Sequence, residues 1–201
     1  MSISRRGFII GLPLFMAGCT TSQYANYGAI QGERFPLPAI PASEIKPELR
    51  RTEVAYSGGE SAGTIVVNTP ERRLYYVLGN GRAIRYGIGV GREGLALRGN
   101  ATVGRTAEWP SWTPTANMMR RDPRNRRYAG GVPGGPNNPL GARALYLYRD
   151  GRDTMFRIHG TNQPGTIGKA VSSGCIRMLN HDVIDLYARV QPGTKVVVIQ
   201  A

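Results

Sequence analysis

The sequence predicts a mainly β domain, a sandwich or barrel-like sheet with one helix in the C-terminal region and a long loop over one end. Three observations carry this. Short β-branched runs recur between turn residues, as in Gly63–Asn68 and Thr194–Ile199, and branched side chains pack well on a pleated surface. Gly79-Asn80-Gly81 is a strong hairpin signal, because Asn-Gly accepts the positive φ values that tight turns need. One stretch, after Asn180, spaces its apolar residues at the helical period: Val183, Ile184, Tyr187 and Val190 share a face.

In chain order, residues 1–18 stand apart. Arg5 and Arg6 precede an apolar run, Gly7–Ala17, too short to span a bilayer as a helix and therefore read as an export signal. Ser4–Ile9 resembles the twin-arginine signal, although the same pair precedes ordinary export signals, and both routes stay open. Met16-Ala17-Gly18-Cys19 resembles a bacterial lipobox. That implies cleavage before Cys19, lipid on its thiol and a membrane-anchored periplasmic protein. Thr20 in place of aspartate implies the outer membrane. Residues 19–59, with Pro36, Pro38, Pro41 and Pro47 and little apolar periodicity, read as a tether, in which 41–49 is the stretch that can dock. Residues 60–201 form the domain.

The domain opens with strands at Gly63–Asn68 and Arg72–Leu78, the hairpin, and a further strand over Arg82–Val90. Gly91–Leu140 shows weak periodicity and holds both tryptophans, Trp109 and Trp112. Loops of that length are usually functional, here a lid or peptide groove. Trp109 reads as a core plug, with a substrate platform as the alternative. Strands follow at Ala142–Tyr148 and Thr154–Ile158, with His159 at the second one's end. Asn180 caps a helix from His181 to about Val190, and Thr194–Ile199 is the last strand.

Twenty-six Lys and Arg against 13 Asp and Glu leave a net charge of +13 over 201 residues. Arg5 and Arg6 depart with residues 1–18, which hold no acid, so thirteen falls to eleven. In a cytosolic chain this would suggest nucleic acid. No interleaved basic and aromatic signature accompanies it, and an exported chain meets wall carboxylates and lipid head groups instead. Nucleic acid is not an expected partner.

Candidate chemistry concentrates in Ile158–Asn180. It holds one of two histidines, His159, and one of two cysteines, Cys175, with Gly160, Gly165, Gly168 and Gly174 around them and Ser172 and Ser173 before the thiol. Taken singly, a cysteine is a small buried hydrophobe and a histidine a satisfied polar group. Together in a Gly/Ser-rich loop they form a candidate nucleophile and base with backbone donors nearby. With Cys19 carrying lipid, Cys175 is the remaining thiol, and no disulfide framework is expected. Zinc at His159, Cys175 and His181 has too few ligands at compact spacing. No metal or cofactor is expected, and His181, at the helix start, is expected to be exposed.

The run IHGTN followed by SSGCIRMLNHDVIDLY resembles the signature of the L,D-transpeptidase catalytic domain. That signature has a His-Gly pair, a spacer of about fifteen residues, then Ser-His-Gly-Cys and a basic or polar residue. His159, Gly160, Ser172, Gly174, Cys175 and Arg177 match, while Ser173 stands where the family commonly has a second histidine. The resemblance runs from about Gly63 to Val198. It implies a β-rich fold, Cys175 as nucleophile, His159 as base and the Gly160 carbonyl orienting the imidazole. It also implies an oxyanion hole from Ser173, Gly174 and Cys175, and substrate contacts from Ser172, Arg177 and Thr161. The departure at Ser173 bears on acceptor binding and oxyanion geometry. For Arg177 a structural ion pair is the alternative.

The implied partners are peptidoglycan stem peptides. Cys175 attacks the carbonyl between meso-diaminopimelate and terminal D-Ala. The acyl group then passes to an amine of a second stem, giving a cross-link, or of an outer-membrane protein, giving a wall anchor. Water as acceptor makes a hydrolase of the same residues. A non-catalytic tether that binds the wall through its basic surface is the third reading.

Overall fold

A computed structural model describes residues 26–91, 97–172 and 174–200. The expected signal segment 1–18, Cys19 and Ser173 lie outside the described residues. The elements in order are β1 (Thr52–Ala55), β2 (Ile65–Asn68), β3 (Arg73–Gly79), β4 (Arg82–Gly87), β5 (Val90–Gly91), β6 (Gly99–Glu108), α1 (Ala116–Arg121), β7 (Arg143–Arg149), β8 (Arg152–His159), β9 (Ala170–Ser172), β10 (Ile176–Arg177), α2 (Asn180–Tyr187) and β11 (Lys195–Ile199).

Among the described residues, nine strands form one sheet in the order β1-β4-β3-β2-β11-β6-β7-β8-β10. Asn80 and Gly81 take φ of 50° and 70°, the turn that Asn-Gly permits, and join β3 to β4 antiparallel. The final strand β11 enters the middle, parallel to β2 and antiparallel to β6. The two ends of the sheet nearly close on each other. Gly89, just beyond β4, exchanges backbone hydrogen bonds of 2.9 and 2.8 Å with Arg177 of β10. Inside lies the main core, which unites Ile65, Leu74, Tyr86, Val103, Leu145 and Ile158 from the strands with Val183 and Leu186 of α2. The mainly β, barrel-like expectation with one C-terminal helix therefore holds.

Several boundaries are corrected. The strand read over Arg82–Val90 breaks after Gly87: a Cβ at Gly89 would stand 2.8 Å from the Thr166 carbonyl oxygen, so the chain turns there against another loop. The Gly91–Leu140 excursion contains β6, ten residues long and paired to both β11 and β7. Its inward side chains, Ala101 and Val103, are too small and too few to show a period of two. α2 ends at Tyr187.

The larger correction concerns the tether. From residue 26 onward the segment is packed on the domain. Tyr27, Leu37, Ile45 and Leu49 are buried, and Thr52–Ala55 is an edge strand beside β4. Glu33 grips Arg143 through Nη2 at 2.6 Å and Nη1 at 2.8 Å. Its carboxylate also accepts from Trp109 Nε1 at 2.9 Å. Trp109 is itself buried, edge-on to Phe35, which fits the core plug and excludes the platform. His181 is buried as well, Nε2 standing 2.9 Å from the Gly28 carbonyl oxygen. The expectation of exposure fails because this strap covers it.

Candidate active site

His159 closes β8, with Ala144 of β7 on one side and Arg177 of β10 on the other. Its carbonyl accepts from Met178 N at 2.8 Å, and the next amide, Gly160 N, donates to Arg143 O at 3.0 Å. Backbone is thus pinned on both flanks. Side chains alternate across a strand. Ile158 and Ile176 enter the core, which puts their neighbours His159 and Arg177 on the opposite face. Cys175 comes two residues before Arg177, and its thiol feels the charges of Arg157 and Arg177.

The imidazole is fixed by its neighbour. Nδ1 lies 2.6 Å from the Gly160 carbonyl oxygen. A carbonyl only accepts, so Nδ1 carries the proton and Nε2 is left with the lone pair. Burial drives the His159 pKa down to about 4, against the upward pull of the Gly160 carbonyl, with the Arg177 and Arg157 charges adding to the depression. Burial also pushes the Cys175 thiol up, while a hydrogen bond with the Arg157 backbone and the Arg157 and Arg177 charges pull it back. The two groups sit in the field of the same two guanidiniums.

The loop before the thiol is held by absent side chains. Gly174 adopts φ 125°, and a Cβ on Gly91 would lie 2.7 Å from Gly174 Cα. β5 and β9 pair in parallel there, Gly91 beside Ser172. Arg177 is half-buried and donates to Gln163 Oε1 at 3.3 Å. Among the described residues no carboxylate pairs with it, so the structural ion pair is not seen. Thr161 is buried, its Oγ1 accepting from Gln163 N at 3.0 Å. The Thr161 hydroxyl oxygen thus closes a turn.

The expected cap at Asn180 is corrected: the N-cap position of α2 is Leu179, and no side chain caps it. Asn180 Oδ1 instead accepts from Ala142 N at 3.0 Å and Thr161 N at 3.2 Å. A Cβ on either Gly141 or Gly160 would collide with that oxygen at 2.2 Å. The first residue of α2 therefore clamps the turn whose carbonyl orients His159. Its place five residues after the thiol is the one signal the sequence offers.

Comparison with known proteins gives consistent results. The family model for the L,D-transpeptidase catalytic domain (YkuD) matches residues 62–198. A probable L,D-transpeptidase of Escherichia coli, ErfK/SrfK, is 41% identical over 139 residues, 67% of this chain and 43% of that protein. The chain thus spans less than half the length of such relatives. A Brucella melitensis structure described as a probable carnitine operon oxidoreductase is 50% identical, with a TM-score of 0.53 over 78% of this chain and 97% of that one. The catalytic domain of an E. faecium L,D-transpeptidase acylated by ertapenem shares the fold at 19% identity, TM-score 0.51, covering 71% of this chain and all of that one.

Proposed function

Since the chain belongs to the L,D-transpeptidase catalytic domain family, we propose that it transfers an acyl group from a peptidoglycan stem peptide to an amine through Cys175. The observation that carries this is the His159 tautomer: with Nδ1–H held by the Gly160 carbonyl, Nε2 is the atom that can take the thiol proton. His159 accepts the Sγ proton as Sγ attacks the amide carbonyl beside terminal D-Ala. The amides of Gly174 and Cys175 stabilise the oxyanion, in a turn that Gly91 allows to pack closely. The imidazolium then returns its proton to the departing D-Ala amine, and a thioester remains. An acceptor amine attacks the thioester, loses its proton to His159, and the thiol is regenerated. A carboxylate third partner is not required, because the carbonyl already fixes the ring.

The oxidoreductase description of the Brucella structure is not carried over. A carbonyl-anchored imidazole that shares the field of Arg157 and Arg177 with a thiol suits acyl transfer, and the family match covers both residues.

The test uses the chain from Thr20, incubated with a disaccharide-tetrapeptide and an amine acceptor and read by intact mass. The expected result is an acyl adduct on Cys175, released D-Ala and a new amide product. Free tripeptide without an amide product would make the protein a hydrolase. No adduct and no turnover from folded protein would sink the catalytic reading and leave the wall-binding tether.

We propose also that residues 1–18 export the chain and that Cys19 carries lipid, anchoring it in the periplasm to the outer membrane, where an outer-membrane protein amine is a second acceptor class. This rests on the lipobox-like Met16–Cys19. Cys19→Ser should move the protein from the membrane to the soluble periplasmic fraction; an unchanged membrane fraction refutes the anchor.

A further inference from the structure

The excursion between β6 and β7 has a chemistry that acyl transfer alone does not use. α1 and the 3-10 turn Pro123–Tyr128 line a cleft of about 600 Å³ together with residues of the 162–171 stretch and Arg177. Among the described residues, five basic side chains face it, Arg121, Arg124, Arg127, Lys169 and Arg177, against one carboxylate, Asp122. Asp122 is engaged by Arg124, accepting from Nε and Nη2 at 2.9 Å each. The described lining therefore keeps an excess of four positive charges. At the α1 end, Trp112 and Tyr128 meet edge to face, centroids 5.8 Å apart, and provide an apolar surface.

Like charges around a concavity focus its potential and raise the local concentration of anions. The volume lies in the range of small-ligand sites. Arg177 ties the cleft to the reacting centre, because it is the register partner of His159 and acts on the Cys175 thiol. The basic residues come from both walls: Arg121 and Arg127 from the excursion, Lys169 from the loop before β9. A ligand with separated negative groups fits this better than one with a single charge.

Resting on the acyl-transfer reading above, we infer that the cleft is a subsite for the free carboxylates of the stem peptide. Arg121, Arg127 and Lys169 then make the protein select stems with free carboxylates over amidated ones. They are specificity residues and take no part in the bond changes.

The test measures binding by calorimetry to the chain carrying Cys175→Ala, which needs no turnover. The ligands are a disaccharide-tetrapeptide with free carboxylates and its amidated counterpart, each at low and high salt. The free-carboxylate form should bind about tenfold tighter, the size of one charge-assisted hydrogen bond, and the difference should shrink at high salt. Arg121→Glu with Arg127→Glu, both exposed positions, should abolish the preference and leave the amidated ligand unaffected. Lys169→Gln should weaken it in the same direction from the other wall. Arg120→Glu, also on α1 but outside the lining, should leave it intact. Equal binding of the two peptides, displacement by inorganic phosphate regardless of amidation, or an unchanged preference in the double variant would each overturn the subsite. A Cys175 adduct in the wild-type chain with binding blind to amidation removes the subsite alone. Selective binding with no adduct removes the transferase reading alone.

Discussion

Burial moves His159 and Cys175 in opposite directions on the pH scale, and both shifts favour the uncharged form. The imidazole falls to about 4 and the thiol rises, so burial works against a resting thiolate–imidazolium pair. The sign follows directly. A depressed histidine keeps its lone pair at every pH above about 4, so the base is lost only in acid. A raised thiol ionises above its usual value of ~8.5. Alkylation of Cys175 by iodoacetamide, followed by mass, should therefore be slow at pH 7 and keep rising beyond pH 9. A plateau below pH 7 would show a resting thiolate and overturn the neutral pair. These residues were legible in the sequence because their types are scarce: two histidines and two cysteines in 201 positions, with one of each in a single Gly/Ser-rich stretch. The Gly160 carbonyl was available only through the family resemblance, since a backbone oxygen has no composition. Asn180 was misread because its partners, Ala142 and Thr161, lie 38 and 19 residues away, and spacing does not show which amides a side chain will meet.

At the scale of elements, the start of α2 acts on the end of β8. Asn180 Oδ1 is the acceptor for two backbone amides on two loops, and the glycines beneath it leave no room for another arrangement. Asn180→Ala removes that acceptor. An orphaned amide away from water costs roughly 1–3 kcal/mol, so the variant should lose stability by about that amount. With the Gly160 carbonyl loosened, Cys175 acylation should slow by about tenfold or more, while Asn180→Asp, which keeps an oxygen in place, should retain more of the rate. Acylation followed by mass and a thermal melt check both. A wild-type acylation rate in Asn180→Ala would mean that the clamp does not position the base. The same paired view explains which elements could be read in advance. β2 and β11 carry branched runs that announce themselves. β6 does not: its core side is Ala101 and Val103, and it exists because β7 and β11 supply hydrogen bonds on both edges. Tertiary pairing, not propensity, makes that strand.

For the whole molecule, the strap over residues 26–51 belongs to the folded unit. Its prolines suggested a free linker, and its buried residues Tyr27, Leu37, Ile45 and Leu49 show no helical or strand period. Both facts have one cause. Tyr27, Ile45 and Leu49 converge on one cluster with Ile167 and Leu179, and Leu37 on another with Trp109 and Ala142, while Pro41 and Pro47 open short 3-10 turns that bend the path between them without a long helix or strand. The strap is energetically large. Burying side chains of these types is worth roughly 1.5–3 kcal/mol each, so four of them approach the whole stability of an ordinary domain, about 5–15 kcal/mol. It also reaches the site. Glu33 holds Arg143 in an ion pair that is almost fully shielded, and the Arg143 carbonyl accepts from Gly160 N, next to the histidine. Removing Glu33 strands a buried guanidinium, which is costly. A protein begun at Ser57 would lose the strap and the edge strand β1 together, although it retains every residue of the family match from 62 to 198. Compared with the chain from Thr20, it should melt at least about 10 °C lower or without a cooperative transition, and its Cys175 should acylate more slowly at temperatures where it is still folded. Equal melting points for the two proteins would show that the strap merely rests on the surface, and that the domain is complete without it.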